Sequence, residues 1–292
     1  MVEVPEVGAF LLGAPKCGTT WLAEVLTQHP EICVSDPKEP NIIASHKGTF
    51  GRDDSEPDWV EYADCFNGDG LRIDCSVHAM ACPVAPLRVA NNWPNARLII
   101  CLREPVSRTV SHWNMILDTK EDRENGADWS EFRSAWDDSR LSDDTLYGAA
   151  VARWLEHFER DSILLIEANR MRHEAPMVLE EVCNHLSISS HSFDLGSVHN
   201  ANTAADRRPM TVFGRLFRFT ASLLPGFIKG PIVRRLQTRG VNVYKMPVLS
   251  SKAPAKREIT EGQRSLLAKE VNADLVLLEE SMGFDCSKWH IQ

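Results

Sequence analysis

A chain of 292 residues with 43% hydrophobic side chains can bury one large core or two small ones. Its net charge of −9 excludes broad binding to phosphate backbones, which needs surplus Lys and Arg, so no nucleic-acid partner is expected and a polyanionic ligand is disfavoured. The first eight residues carry acids instead of a basic leader, and no stretch approaches the roughly 20 apolar residues of a membrane span, so a cytoplasmic protein is the expectation.

In chain order, residues 9–12 (Ala-Phe-Leu-Leu) form a short apolar run that stops at Gly13 and reads as a buried strand. A loop follows. Residues 19–29 then read as a helix, with Trp21, Leu22, Val25 and Leu26 on one face and Pro30 ending it. Further strands are expected at 32–35, 71–75, 97–102 and 162–167. Helices are expected at 83–91, 105–117, 129–139, 146–160 and 175–186, with a last one at 261–282. Strands alternating with helices predict an α/β fold, a parallel sheet covered on both faces, in one domain over residues 1–292.

One segment departs from the acidic trend. Residues 207–239 hold eight Lys or Arg and no acid, together with Phe213, Phe217, Phe219 and Phe227. Pro225-Gly226 and Gly230-Pro231 interrupt it, so it reads as a helical insertion with a broken second half. Basic and aromatic residues together suit an anionic membrane surface or a lid over a lipid-like ligand. The eight cysteines are scattered and form no CxxC pair, so reduced, packed thiols are expected and a zinc site is not. A disulfide among Cys65, Cys75 and Cys82 is the alternative, disfavoured by the expected compartment.

Gly13-Ala-Pro-Lys-Cys-Gly18-Thr19-Thr20 lies between the first strand and the first helix. Two glycines five apart, a hydroxyl pair and a helix N-terminus make a cradle of N–H groups for an anion. The loop departs from the ATPase form, which places Lys directly after the second Gly. Here Thr19 stands there and the lysine is Lys16. A kinase or nucleotide hydrolase thereby loses its main phosphate lysine, and that reading becomes the runner-up. A lysine two residues before the Gly suits a donor whose 5′-phosphate lies deep in the loop.

The stretch Pro15-Lys16-Cys17-Gly18-Thr19-Thr20-Trp21-Leu22 resembles the 5′-phosphosulfate loop of sulfotransferases that use 3′-phosphoadenosine-5′-phosphosulfate (PAPS). The resemblance implies a P-loop-like α/β fold, PAPS as co-substrate with adenosine 3′,5′-bisphosphate as product, and no metal. It is closer to the glycan-type and bacterial branch than to the cytosolic small-molecule branch. Arg103-Glu-Pro-Val-Ser-Arg-Thr-Val-Ser111 follows the strand at 97–102 and is similar to the family's 3′-phosphate motif, which maps to Arg103 and Ser111. Arginine offers a planar fork to phosphate and serine a hydroxyl. Arg208 stands where family members often close over the 3′-phosphate. Tyr147, Trp154 and the ending Gly283-Phe-Asp-Cys-Ser-Lys-Trp289 resemble structural markers of the family.

An acceptor hydroxyl must lose a proton as it attacks, so a general base is expected. Glu39, in Asp36-Pro-Lys-Glu-Pro40, sits in a segment like the Lys-Glu-Pro element of the glycan-type branch and is favoured. His78, in Asp74-Cys-Ser-Val-His78, is the second candidate, although it lies outside the small-molecule branch's histidine motif. Asp74-Cys-Ser-Val77 also lacks the lysine and proline that the glycan-type branch often has there. The expected acceptor is a hydroxyl or amine of a sugar, natural product or lipid-like molecule. A non-catalytic anion- or membrane-surface module is the third reading.

Overall fold

The computed structural model describes residues 4–196, 198 and 256–291. The basic segment 207–239, including Arg208, lies outside the described residues. Five strands form a parallel sheet: β1 (Ala9–Gly13), β2 (Ile32–Val34), β5 (Leu71–Asp74), β6 (Arg97–Leu102) and β7 (Ile163–Glu167). Their lateral order is β2-β5-β1-β6-β7, and every pairing is parallel. All five residues of β1 are buried, as a central strand covered on both faces requires. Two short strands, β3 (His46–Lys47) and β4 (Gly51–Arg52), make a separate antiparallel hairpin that the sequence pattern does not foretell.

Helix α1 (Thr19–Leu26) returns the chain from β1 and buries Leu22, Ala23, Val25 and Leu26. Helix α2 (Trp59–Asp64) is capped by Asp58, whose carboxylate accepts from the amides of Val60 and Glu61. Helix α3 (Ala85–Asn92) leads to β6, and α4 (Pro105–Thr119) leaves it with Pro105 at its first position. The helix expected over 129–139 is instead split. After the turn α5 (Glu121–Glu124), the short helix α6 (Phe132–Trp136) stops, and α7 (Ser139–Ser142) starts afresh on the side chain of Asp138, which accepts from the Arg140 amide. Asp138 therefore acts as a cap where periodicity alone predicts continuity.

Helix α8 (Tyr147–Leu155) has no side-chain cap of its own at Leu146. Its first amides are bound from another element. Asp274 of α11 (Glu261–Met282) accepts from Gly148 and Ala149, each at 2.7 Å. A Cβ on Gly148 would lie 2.2 Å from the Asp274 carbonyl oxygen, so this glycine permits the two helices to touch. Between them in sequence, α9 (Arg170–His173) and α10 (Ala175–His185) follow β7. The eight cysteines are buried free thiols, in agreement with the reduced reading. No helix among the described residues is long and apolar enough to cross a membrane.

Candidate functional site

In a parallel sheet the loops leaving the C-terminal ends of the strands gather at one edge, and ligands bind there. Four of the sequence candidates sit on such loops. Glu39 follows β2, His78 follows β5, Lys16 follows β1 and Arg103 follows β6. The strand order places them side by side as Glu39, His78, Lys16, Arg103, with Lys16 on the central strand's loop. Neighbouring strands lie about 4.8 Å apart, so residues remote in sequence share one rim.

The loop after β1 is shaped by two glycines. Gly13 has φ 152°, and a Cβ there would lie 2.7 Å from the Val77 carbonyl oxygen and 2.9 Å from Met80 Cβ. The turn carrying His78 thus rests directly on the loop's first residue, and the Met80 amide donates to Leu12 O at 2.9 Å. Gly18, at φ 88°, is the N-cap of α1. It supplies no side-chain acceptor, and the first turn of α1 carries no acid. An uncapped helix start of this kind is one that an anion's oxygens can satisfy. Lys16 also has positive φ, 73°, which costs a residue with a Cβ about 1 kcal/mol and is the kind of strain that gathers at functional sites. Thr19 is buried, whereas Thr20 and Trp21 are half-buried. Cys17 is fully buried, and burial pushes its thiol up to about 11, so it is a packing residue here and not a nucleophile.

Arg103 lies immediately beyond β6, half-buried, and Ser111 is half-buried two turns into α4. The helix start beside Arg103 differs from that of α1. The Glu104 carboxylate accepts from the amides of Val106 and Ser107 at 2.9 and 2.8 Å, so a side chain already occupies it. Tyr147 joins the two motifs. Its hydroxyl donates to Arg103 O at 2.8 Å and lies 3.9 Å from Cys17 Sγ. The tyrosine noted as a structural marker therefore holds the strand-end arginine against the loop. Its place is set by Asp274 through the cap on α8.

Glu39 is about a third exposed and pairs with Lys38 Nζ at 2.7 Å. Its loop is pinned to the turn after β5, because Ser76 Oγ accepts from the Asn41 amide at 2.9 Å. Lys47 of the β3–β4 hairpin donates to Asn41 O from the other side. Behind that loop Asp74 is buried, accepting from Tyr62 Oη and the Ser76 amide, both at 2.8 Å. Burial pushes its carboxyl up.

His78 is buried and heads a cluster that the sequence reading did not identify. Its Nδ1 is 3.6 Å from Asp144 Oδ2. The same oxygen is 3.6 Å from His112 Nδ1 and 3.8 Å from the Arg108 guanidinium. Burial alone would raise the Asp144 carboxyl, but His78, Arg108 and His112 outweigh it and hold it at about 2. Burial pushes His112 well below the usual histidine range, and the charges of Arg108 and Lys16 add to the effect. One local signal for the cluster existed. Arg108 and His112 stand four apart on the buried face of α4, where two polar residues in an apolar stripe need a partner. Nothing in the sequence distinguishes Asp144 from Asp143 beside it.

Comparisons with known proteins agree with this fold. A crystal structure of a sulfotransferase from Alicyclobacillus acidocaldarius superimposes with a TM-score of 0.63 at 19% identity, covering 98% of this chain and 99% of that one, which shows the fold. Heparan sulfate glucosamine 3-O-sulfotransferase 3A1 of Mus musculus is 23% identical over 180 residues, 58% of this chain and 42% of that protein. The bifunctional heparan sulfate N-deacetylase/N-sulfotransferase 1 of Caenorhabditis elegans is 23% identical over 192 residues, 63% of this chain and 22% of that protein. The chain spans less than half the length of these curated relatives. A sulfotransferase-domain model matches residues 8–202, more than half of the chain, and the chain belongs to that family.

Proposed function

We propose that this protein transfers a sulfuryl group from PAPS to a hydroxyl or amine acceptor. The observation that carries the reading is the rim itself: a helix start without a side-chain cap, the strained Lys16 and the strand-end Arg103 on adjacent parallel strands. The residues present fit the donor. Gly18 holds φ 88°, a left-handed backbone that glycine adopts without strain at the start of α1. Amides of residues 18–20 would hold the 5′-phosphate end, with the Thr19 and Thr20 hydroxyls beside them. Arg103 and Ser111 would hold the 3′-phosphate, and Arg208 would be a further contact there. The donor supplies an activated sulfur–oxygen bond to its 5′-phosphate. Lys16 stabilises the charge that gathers on the phosphate oxygen as that bond breaks.

Two side chains at the rim can take the acceptor's proton, Glu39 beside Lys38 and His78 beside Asp144. Near-normal turnover in Glu39→Gln removes Glu39 from the role, and the same outcome in His78→Gln removes His78. The named activities of the curated relatives support a glycan acceptor. The chain's negative charge favours a small sugar, natural product or lipid-like molecule over a long sulfated polysaccharide. The basic and aromatic composition of segment 207–239, outside the described residues, favours a lipid-like or apolar acceptor. The test of the donor is thermal shift with adenosine 3′,5′-bisphosphate against ATP-magnesium. Stabilisation by the former alone supports the reading, and a preference for ATP-magnesium overturns it in favour of a kinase. A screen of acceptors with labelled PAPS follows.

A further inference from the structure

We infer that Asp144 is a positioning residue that fixes the tautomer of His78, leaving the Nε2 lone pair of His78 free to act as the general base. The inference rests on the sulfuryl-transfer reading for its chemistry and on geometry for its substance. Asp144 Oδ2 has three cationic or imidazole neighbours, and each can be assigned a role. Arg108 can only donate, and it does so to His112 Nδ1 at 3.3 Å. The His112 proton is therefore on Nε2, which donates to Thr49 Oγ1 at 2.9 Å. His112 then presents a lone pair to Asp144, not a proton. Arg108 spends another donor on Leu141 O at 3.1 Å and approaches Asp144 only at 3.8 Å. Asp144 Oδ2 is left buried without a hydrogen-bond partner.

His78 is the one imidazole facing that oxygen that is free to supply an N–H. Its Nδ1 is the near nitrogen, at 3.6 Å, a separation that closes to a hydrogen bond with a small ring rotation. An ionised, buried carboxylate strongly favours the proton on the nitrogen facing it. Nε2 is then unprotonated, and among the described residues it has no hydrogen-bond partner. The His78 side chain is about one-tenth exposed. The turn carrying it abuts Gly13 at the head of the loop that holds Lys16. In the transfer step, the acceptor oxygen bonds to sulfur and its proton passes to His78 Nε2. The sulfur–oxygen bond to the 5′-phosphate breaks, and its electron pair stays on the phosphate oxygen beside Lys16. The arrangement needs no redox partner. Glu39, tied to Lys38, is then a rim residue of the acceptor side.

The test reads the tautomer directly. Protein labelled with 15N-histidine, saturated with adenosine 3′,5′-bisphosphate at pH 7.5, is examined by long-range 1H–15N correlation, with His78 assigned by its loss in His78→Gln. The expected spectrum shows His78 protonated at Nδ1 alone, and Asp144→Asn shifts it towards the Nε2-protonated form while the His185 resonances stay put. His78 protonated at Nε2, or at both nitrogens, in the wild-type protein overturns the inference, as does an unchanged tautomer in a folded Asp144→Asn. Should that variant fail to fold, the wild-type spectrum alone decides. Failure of the donor reading is seen separately, as an absence of thermal stabilisation by adenosine 3′,5′-bisphosphate, and the tautomer is then read on the free protein.

Discussion

Replacing Gly13 with alanine tests the claim that the phosphate loop and the His78 turn are built against one another. The added Cβ would lie 2.7 Å from Val77 O and 2.9 Å from Met80 Cβ, and both belong to a turn held by the Met80 amide on Leu12 O. Neither neighbour is the loose end of a side chain, so the turn must move away from β1. Overpacking of this kind costs about 1–3 kcal/mol. The backbone at φ 152° adds strain of about 1–3 kcal/mol for a residue with a Cβ. A loss of about 2–6 kcal/mol is expected, a large part of the roughly 5–15 kcal/mol of a typical domain. Gly18→Ala is the control. Its Cβ meets only Met171 Cε, at 2.8 Å, which can swing aside, so about 1–2 kcal/mol is expected there from the left-handed backbone. Urea unfolding followed by tryptophan fluorescence gives both values, and binding of adenosine 3′,5′-bisphosphate should weaken in both. A loss below about 1 kcal/mol in Gly13→Ala, or equal losses in the two variants, would refute the reasoning.

Lys16→Ala should lower transfer from labelled PAPS by about a hundredfold or more while thermal stability stays near wild type; retained transfer would contradict the role of Lys16. The depressed Asp144 carboxyl makes a pH prediction. Its value falls from an ordinary 3.8 to about 2 on folding, so its contribution is complete above about pH 5 and disappears as pH falls through about 2. That contribution is about 2 kcal/mol, and the stability gap between wild type and Asp144→Asn, measured in urea, should narrow between about pH 4 and pH 2. A gap that widens on acidification would reverse the assignment. Asp274→Ala removes the acceptor for two amides of α8 and should cost about 1–2 kcal/mol. Because α8 carries Tyr147, the variant should also weaken binding of adenosine 3′,5′-bisphosphate; unaltered affinity would separate Tyr147 from the positioning of Arg103.

Much of the architecture was legible from local pattern. The strand at 97–102 coincides with β6, and the last helix runs over 261–282 as expected. Apolar spacing and turn residues act within a few positions, so one chain displays them. Asp138 shows the limit, because its choice to cap α7 is a competition between side chain and backbone that periodicity does not weigh. The glycine-bounded turn after β1 was equally readable, since Gly13 and Gly18 take positive φ that glycine permits, whereas the residue type of Lys16 gives no sign of its φ of 73°.

The lateral order of the strands was not readable. It brings Glu39, His78, Lys16 and Arg103 to one rim, and parallel pairing joins segments whose contacts are all remote in sequence. Asp144 is the clearest case. As a residue type it is an ordinary surface acid next to Asp143. Only packing against Arg108, His78 and His112 makes it a buried, ionised group, because the free energy of a carboxylate depends on what surrounds it and not on its neighbours along the chain. The sequence by itself determined a glycine-bounded strand-to-helix loop on a parallel α/β sheet; tertiary structure alone decided which charges meet beneath it.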